Sequence, residues 1–413
     1  NGMKVTLLPY KGLPLVAAQL IFANAGSAAE PASKAGLAGV AAGFLRLPLE
    51  ANVGKTGISI QGFAGDDNTT FVSSGMSIYV EQIITALERQ IKIGEYDQEA
   101  IERWQKSVKK RYESKSFRED LAYQQEVAAA LYGPEHPYTV KGTEPPASVA
   151  HIGYDAAMSF KREHYSAKNA TLVIAGNFDP KDAKEYISDS FGDWSGGHQD
   201  APVATTPRQR SGAEFIGVVQ ERDAPQTRVT ISYPAPAGID GEQAARLVMT
   251  EMLNIRMSAI RTELGSTYGT YARRTSNLGP NAYQMGGSID TPRAGESIKV
   301  MRAKIDALRQ GEGFDQDFAT ARRTILKRLL GESTVTYELA GRLSSIALFG
   351  LEPDYYDNLT KFVAAVSTAQ VKALIAAELR PELEVVVLKA DRASMEKTFA
   401  DAGIATVRYV EPE

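Results

Sequence analysis

Short apolar runs bounded by Gly and Pro alternate along this chain with longer runs in which apolar residues recur every three or four positions. The first kind predicts strands and the second helices. Residues 3–9, 16–23, 58–63 and 68–76 read as strands, and residues 35–47, 78–94, 97–114, 121–131 and 154–164 as helices. Residues 170–176 are apolar throughout, as in a strand covered on both faces. A helix over 180–191 then follows Asp179 as N-cap, with Pro180 in its first turn.

Residues 195–212, with Gly196, Gly197, Pro202, Thr205, Thr206 and Pro207, carry no periodicity and read as a linker. Beyond it the order of elements begins again. Strands are predicted over 215–220, 228–233, 268–273 and 283–289, helices over 241–264, 297–310, 315–331, 337–348 and 369–378, and a buried strand over 383–388. Asn177-Phe178-Asp179 has a counterpart in Lys389-Ala390-Asp391. A period of roughly 200 residues argues for a duplicated α+β domain. The expected halves are 1–200 and 201–413, each a mostly antiparallel sheet packed with helices.

Composition narrows the function. The 413 residues are 43% hydrophobic and 23% charged, ordinary for a globular chain, and the net charge of -4 provides no basic field for nucleic acid. Cysteine is absent, which removes disulfides, thiolate metal sites and cysteine nucleophiles together. No apolar run reaches the roughly 18 residues of a membrane span. The chain opens at Asn1-Gly2 without an initiator Met, leaving room for an upstream segment.

Most familiar chemistries find no support. Gly286-Gly287 and Gly311-Glu312-Gly313 lack the Lys and spacing of a phosphate cradle and read as turns. Ser73-Ser74 and Ser344-Ser345 have no histidine in a suggestive pattern. Asp66-Asp67-Asn68 is a turn between strands rather than a calcium loop. The charge run over 102–118 is a solvated helix face. The four histidines (His136, His151, His164 and His198) lie out of helical reach of one another and read as packed or solvated residues.

One pair stands out. The helix carrying Arg261-Thr262-Glu263-Leu264 meets a natural C-cap at Gly265, and Tyr268 opens the next strand. An uninterrupted helix would put Arg261 and Tyr268, seven residues apart, on one face. A break at Gly265 can instead fold the strand back so that the Arg261 guanidinium and the Tyr268 hydroxyl converge from different elements. Two such donors can hold a peptide carbonyl or a tetrahedral oxyanion. The bland account is a salt bridge for Arg261 and a surface role for Tyr268. Arg273 and Arg274 read as a solvated edge, and Tyr271 and Tyr283 as sheet residues.

The segments 1–5, 14–16, 26–30 and 34–38, Tyr165 with Ala167 to Asp179, and Arg261-Thr262-Glu263-Leu264-Gly265 with Tyr268, taken in order, resemble pitrilysin/insulinase-type zinc peptidases, particularly their shorter bacterial and mitochondrial branch. In active members a helix carries His-x-x-Glu-His, which puts two imidazoles on one face around Zn²⁺ with Glu as general base. Here the matching residues are Gly39, Val40, Ala41, Ala42 and Gly43, so both ligand positions are Gly and the base position is Ala. The third ligand, a later Glu, falls near Lys110 or Arg111. The resemblance therefore implies a chain with no metal and no cofactor of its own, half of a clam-shell peptidase. It would be the non-catalytic subunit of a heterodimer whose zinc-bearing homologous partner supplies the His-x-x-Glu-His site. Arg261 and Tyr268 would contact unfolded peptide there. An assembly protein with no role in proteolysis is the competing expectation. The resemblance points to the periplasm or cell envelope, while the sequence leaves the cytoplasm open.

Overall fold

The computed structural model describes residues 1–47, 56–140, 144–202, 208, 210, 212–220, 224–332 and 335–412. Thr205, Thr206 and Pro207 of the expected linker lie outside them. The first elements are β1 (Lys4–Pro9), β2 (Leu15–Ala23), α1 (Leu37–Gly43), β3 (Leu45–Arg46), β4 (Ser59–Ala64) and β5 (Asn68–Met76). Then come α2 (Val80–Lys92), β6 (Glu95–Tyr96), α3 (Gln98–Glu113), α4 (Lys115–Tyr132) and the short α5 (Pro137–Val140) and α6 (Pro146–Val149). α7 (Tyr154–His164), β7 (Ala170–Gly176) and α8 (Pro180–Phe191) follow.

Further along are β8 (Glu214–Val219), β9 (Gln226–Ala235), α9 (Gln243–Leu264), β10 (Thr267–Arg274) and β11 (Asn281–Asp290). The chain ends with α10 (Ala294–Gln310), α11 (Phe314–Glu332), α12 (Thr336–Phe349), α13 (Tyr355–Ala365), α14 (Thr368–Glu378), β12 (Val385–Ala390), α15 (Arg392–Asp401) and β13 (Arg408–Val410).

These elements form two compact units, each assembled from three segments. One comprises Asn1–Arg111, Val140–Ala204 and Leu330–Tyr356; the other comprises Tyr112–Thr139, Thr205–Leu329 and Asp357–Glu413. The first unit's sheet runs β1-β7-β2-β5-β4, antiparallel except for the parallel β1–β7 pair. The second runs β13-β8-β12-β9-β11-β10, parallel at β13–β8–β12 and antiparallel beyond. Set side by side, β8, β12, β9, β11 and β10 repeat the order and orientation of β1, β7, β2, β5 and β4. The α+β duplication read from the sequence is thus present in the sheets, with β13 added at one edge.

In the first unit, Leu20 and Phe22 of β2 and Leu172 and Ile174 of β7 face a core with α1, α2 and α7. Ala17, Ile21, Val173 and Ala175 on the opposite face pack against Ala340 and Leu343 of α12. Both faces are covered, which is why these strands read as unbroken apolar runs. Buried Gln19 accepts from Ser344 Oγ at 2.6 Å on that second face. In the second unit α4 takes the corresponding place against β8, β9 and β12. There Tyr123 and Thr230 share a hydroxyl hydrogen bond of 2.6 Å. Each unit thus draws this helix from the other half of the sequence.

Some expectations change. The helix expected over 35–47 spans only Leu37–Gly43, and Leu45–Arg46 pairs instead with Glu95–Tyr96. Glycine at 39 and 43 weakens helix formation. Tyr96 OH ends the run by donating to the Ala41 carbonyl, one of the helix's unpaired last acceptors, at 2.9 Å. Gly286-Gly287 is no turn but the middle of β11, where a Cβ on Gly286 would stand 2.1 Å from the Val229 carbonyl oxygen. α13 and α15 were not foreseen.

Candidate functional site

Helix α9 buries Ala245, Val248, Met249, Met252, Leu253, Met257 and Ile260, a three-and-four spacing that fixes one face on the second unit's sheet. Gly265 ends it in the left-handed conformation (φ 61°), its N–H donating to the Arg261 carbonyl at 3.0 Å. Arg293 donates to the Leu264 carbonyl, satisfying another terminal acceptor. The chain turns back at once into β10.

That turn brings the predicted pair together. The Arg261 guanidinium carbon lies 6.0 Å from the centroid of the Tyr268 ring. Arg261 is exposed, and among the described residues it has no ion-pair or hydrogen-bonding side-chain partner. The salt bridge of the bland account is therefore not made with any described acid; neighbouring Glu263 pairs with Lys304 instead, at 2.8 Å. Tyr268 is 88% exposed.

A bulge makes that exposure possible. Thr267 stands opposite Ile289 and Thr270 opposite Gly287, so Tyr268 and Gly269 together face the single residue Ser288. The Thr267 hydroxyl donates to the Ser288 carbonyl at 2.6 Å and accepts from the Gly269 N–H at 3.1 Å. The Gly269 carbonyl oxygen comes so close to β11 that a Cβ on Gly287 would stand 2.5 Å from it. Thr267 and Gly287 were missed by sequence reasoning, because a bulge leaves no periodic signal.

The neighbouring residues sort differently. Arg273 is exposed and bonds Gln284 Oε1 at 2.9 Å. Arg274 is not a solvated edge: it donates to the carbonyls of Pro236 and Gly238 at 2.7 and 3.1 Å, and burial lowers its pKa. Tyr283 is fully buried, its hydroxyl bound to Glu378 at 2.5 Å, and burial pushes its pKa up. Glu378 also takes Arg246 at 2.9 Å, so these residues anchor the start of α9.

The degenerate zinc positions lie on α1 in the first unit. A Cβ on Gly39 would meet nothing within 4 Å, and one on Gly43 only the Gly62 carbonyl oxygen at 4.0 Å. The space for side chains is there; the donors are not. Arg111, beside the third-ligand position, pairs with Glu144 at 2.8 Å. His136 Nδ1 accepts from the Tyr138 N–H at 3.1 Å. His164 Nδ1 and His198 Nε2 take the two oxygens of Asp200, at 2.8 and 3.0 Å, a grouping that sequence distance concealed. Among the described residues no group of three or more His, Cys, Asp or Glu side chains could hold a metal ion.

Residues 151–325 match the family model for the peptidase M16 inactive domain. No curated protein sequence matches the chain. Among solved structures, a peptidase M16 inactive domain from Pseudomonas fluorescens is 17% identical with a TM-score of 0.81, over 100% of this chain and 98% of that one. The periplasmic protease PqqL from Escherichia coli is 14% identical (TM-score 0.79), over 95% of this chain and 44% of its own. A chain of complex III2 from Candida albicans is 10% identical (TM-score 0.78), over 97% and 98%. The chain has the M16 peptidase fold, and the pitrilysin/insulinase-type resemblance is borne out in its metal-less form. What matches is an inactive domain, in a chain whose zinc-motif positions are Gly39, Ala42 and Gly43.

Proposed function

We propose that this chain is the non-catalytic subunit of a two-chain zinc peptidase, supplying Arg261 and Tyr268 to a substrate held at its partner's metal. The partner is a homologous chain carrying His-x-x-Glu-His, and the substrate an unfolded peptide. The partner's zinc activates the attacking water. Arg261 and Tyr268 donate hydrogen bonds to the peptide carbonyl and to the oxyanion that develops from it. On this reading the duplicated halves meet near residue 200, the first keeping the erased motif and the second the working pair. The single observation that carries the proposal is the convergence of an exposed tyrosine and an arginine with no described acid partner, where the helix breaks. Likeness to a periplasmic protease supports a periplasmic setting. Among the described residues no single helix is long and apolar enough to cross a membrane.

The test is reconstitution with a zinc-bearing partner encoded beside this chain. The mixture should cleave unstructured peptides, and Arg261→Ala or Tyr268→Phe should lower kcat on the order of 100-fold while the complex still assembles. Full activity in both variants would overturn the assignment and favour an assembly role, of the kind the complex III2 likeness suggests.

A further inference from the structure

A second group of charged and polar side chains lines a recess in the second unit, beside the bulge that carries Tyr268. On the face of the second unit's sheet that α4 covers, a recess of about 460 Å³ is lined by Asp120, Gln220, Gln226, Arg228, Tyr271, Ser288 and Lys389 among others. Arg228 and Lys389 are directly opposite each other on β9 and β12, and Ser288 continues the row on β11. Like charges so placed repel. A single carboxylate oxygen stands against both: Asp120 Oδ1 lies 2.6 Å from Lys389 Nζ and 3.4 Å from an Arg228 nitrogen. Its side chain is 43% exposed and that of Arg228 is 42% exposed, so the recess opens to solvent.

The remaining lining groups add donors. The Gln220 Nε2 is buried and has no hydrogen-bond partner among the described residues, a costly state for an amide. Tyr271 and Ser288 contribute hydroxyls. The Arg228 guanidinium is held over the Tyr123 ring, 4.9 Å from its centroid, which fixes its plane. The site therefore holds two cations and an orphaned amide donor against one acid.

We infer that this recess binds a carboxylate, carried by a peptide either as an acidic side chain or as its C terminus. A carboxylate is acceptor-only, with two oxygens, and can take the guanidinium, the ammonium and the Gln220 amide together. Asp120 is then a built-in competitor that offsets the repulsion between the two cations until the ligand arrives. The inference stands on this site's own geometry and needs neither the zinc partner nor peptide cleavage.

The experiment uses the intact chain alone, by calorimetric titration at low salt with the amidated peptide Gly-Gly-Glu-Gly-Gly, its Gln counterpart, and Gly-Gly-Gly-Gly-Gly with a free C terminus. The Glu peptide or the free-acid peptide should bind roughly tenfold or more tightly than the uncharged one, and added salt should erase the difference. Whichever of the two binds names the source of the carboxylate. Arg228→Gln and Gln220→Leu should each lose most of the preference. Asp120→Asn should strengthen it severalfold, a gain that a damaged fold does not produce. Equal binding of charged and uncharged peptides, or weaker binding by Asp120→Asn, would overturn the inference.

Discussion

The Thr267 hydroxyl bridges the bulge in β10, giving its proton to the Ser288 carbonyl and taking one from the Gly269 N–H. A side chain thereby replaces the ladder hydrogen bond that the extra residue interrupts. Removing it deletes both hydrogen bonds to the exposed residues Gly269 and Ser288, a net loss of about 0.5–1.5 kcal/mol each. Thr267→Val keeps the volume and loses the hydroxyl; Thr267→Ser keeps the hydroxyl. The Gly269 amide should exchange with solvent faster in the Val variant and at the wild-type rate in the Ser variant. In the reconstituted complex, turnover should follow the same order. If exchange at Gly269 is identical in all three proteins, Thr267 does not hold the bulge.

The α1–β4 contact yields a pair of glycine substitutions with opposite signs. Gly39 is exposed within α1 and a Cβ there meets nothing, so Gly39→Ala should raise stability by about 0.5–1 kcal/mol through helix propensity. Gly62 lets β4 approach α1 so closely that a Cβ would stand 2.5 Å from the Ala42 carbonyl oxygen and 2.5 Å from the Phe71 ring. Gly62→Ala should therefore destabilise by about 1–3 kcal/mol. Urea denaturation of the two variants decides the matter; a loss on Gly39→Ala would show that the erased motif still requires bare backbone.

How far the sequence led depends on where the information sits. The extents of β5, β7, α7 and α8 follow from periodicity and caps, and Asp179 and Asp391 do cap matching helices. The convergence of Arg261 and Tyr268 was legible because Gly265 is a local signal. The exchange of α4 and α12 between units was not, because an apolar helix face names no partner. Nor was the bulge, since Thr267 and Gly287 are 20 residues apart and meet only through strand register. Arg274 was misplaced for the same reason, and Tyr283, though read rightly as a sheet residue, gave no sign of its partner: nothing near them in sequence announces the Pro236 carbonyl or Glu378.

The two matching caps should be worth similar amounts. Asp179 accepts from the Lys181 and Asp182 N–H groups at 2.7 and 3.4 Å, and Asp391 accepts from the Ser394 N–H at 3.0 Å. Each Asp→Ala change should cost about 1 kcal/mol, and Asp→Asn only part of that. Asp391 is held below the ordinary carboxylate range: burial opposes ionisation, but hydrogen bonds from the side chain and N–H of Ser394 outweigh it. Its folded pKa being depressed, its stabilisation is present above the unfolded pKa and lost as pH falls through the folded one. The penalty of Asp391→Ala should accordingly shrink in acid, and a penalty independent of pH would refute the cap.

Lys161 supplies a test at the alkaline end. Its ammonium is almost wholly enclosed and donates to the Gly94 carbonyl at 2.7 Å. Burial lowers its pKa from 10.5 to about 8, with nearby Glu95 opposing the shift. The sign follows from proton counting: between about 8 and 10.5 the unfolded chain keeps a proton that the folded chain has released, so stability rises with pH in that window. Below it both states are protonated and the full cost of burying the charge is present. Tyr96, Tyr123 and Tyr165, whose pKa values burial raises, act in the opposite direction above their ordinary value of 10.0, so measurements should stop there. Relative to Lys161→Met, the wild-type protein should gain about 2 kcal/mol between pH 7 and pH 10 in urea denaturation. The Met side chain also leaves the Gly94 carbonyl unpaired, but that loss is the same at every pH and moves only the offset between the curves. Parallel curves for the two proteins would mean that Lys161 keeps an ordinary pKa and that solvent reaches its ammonium.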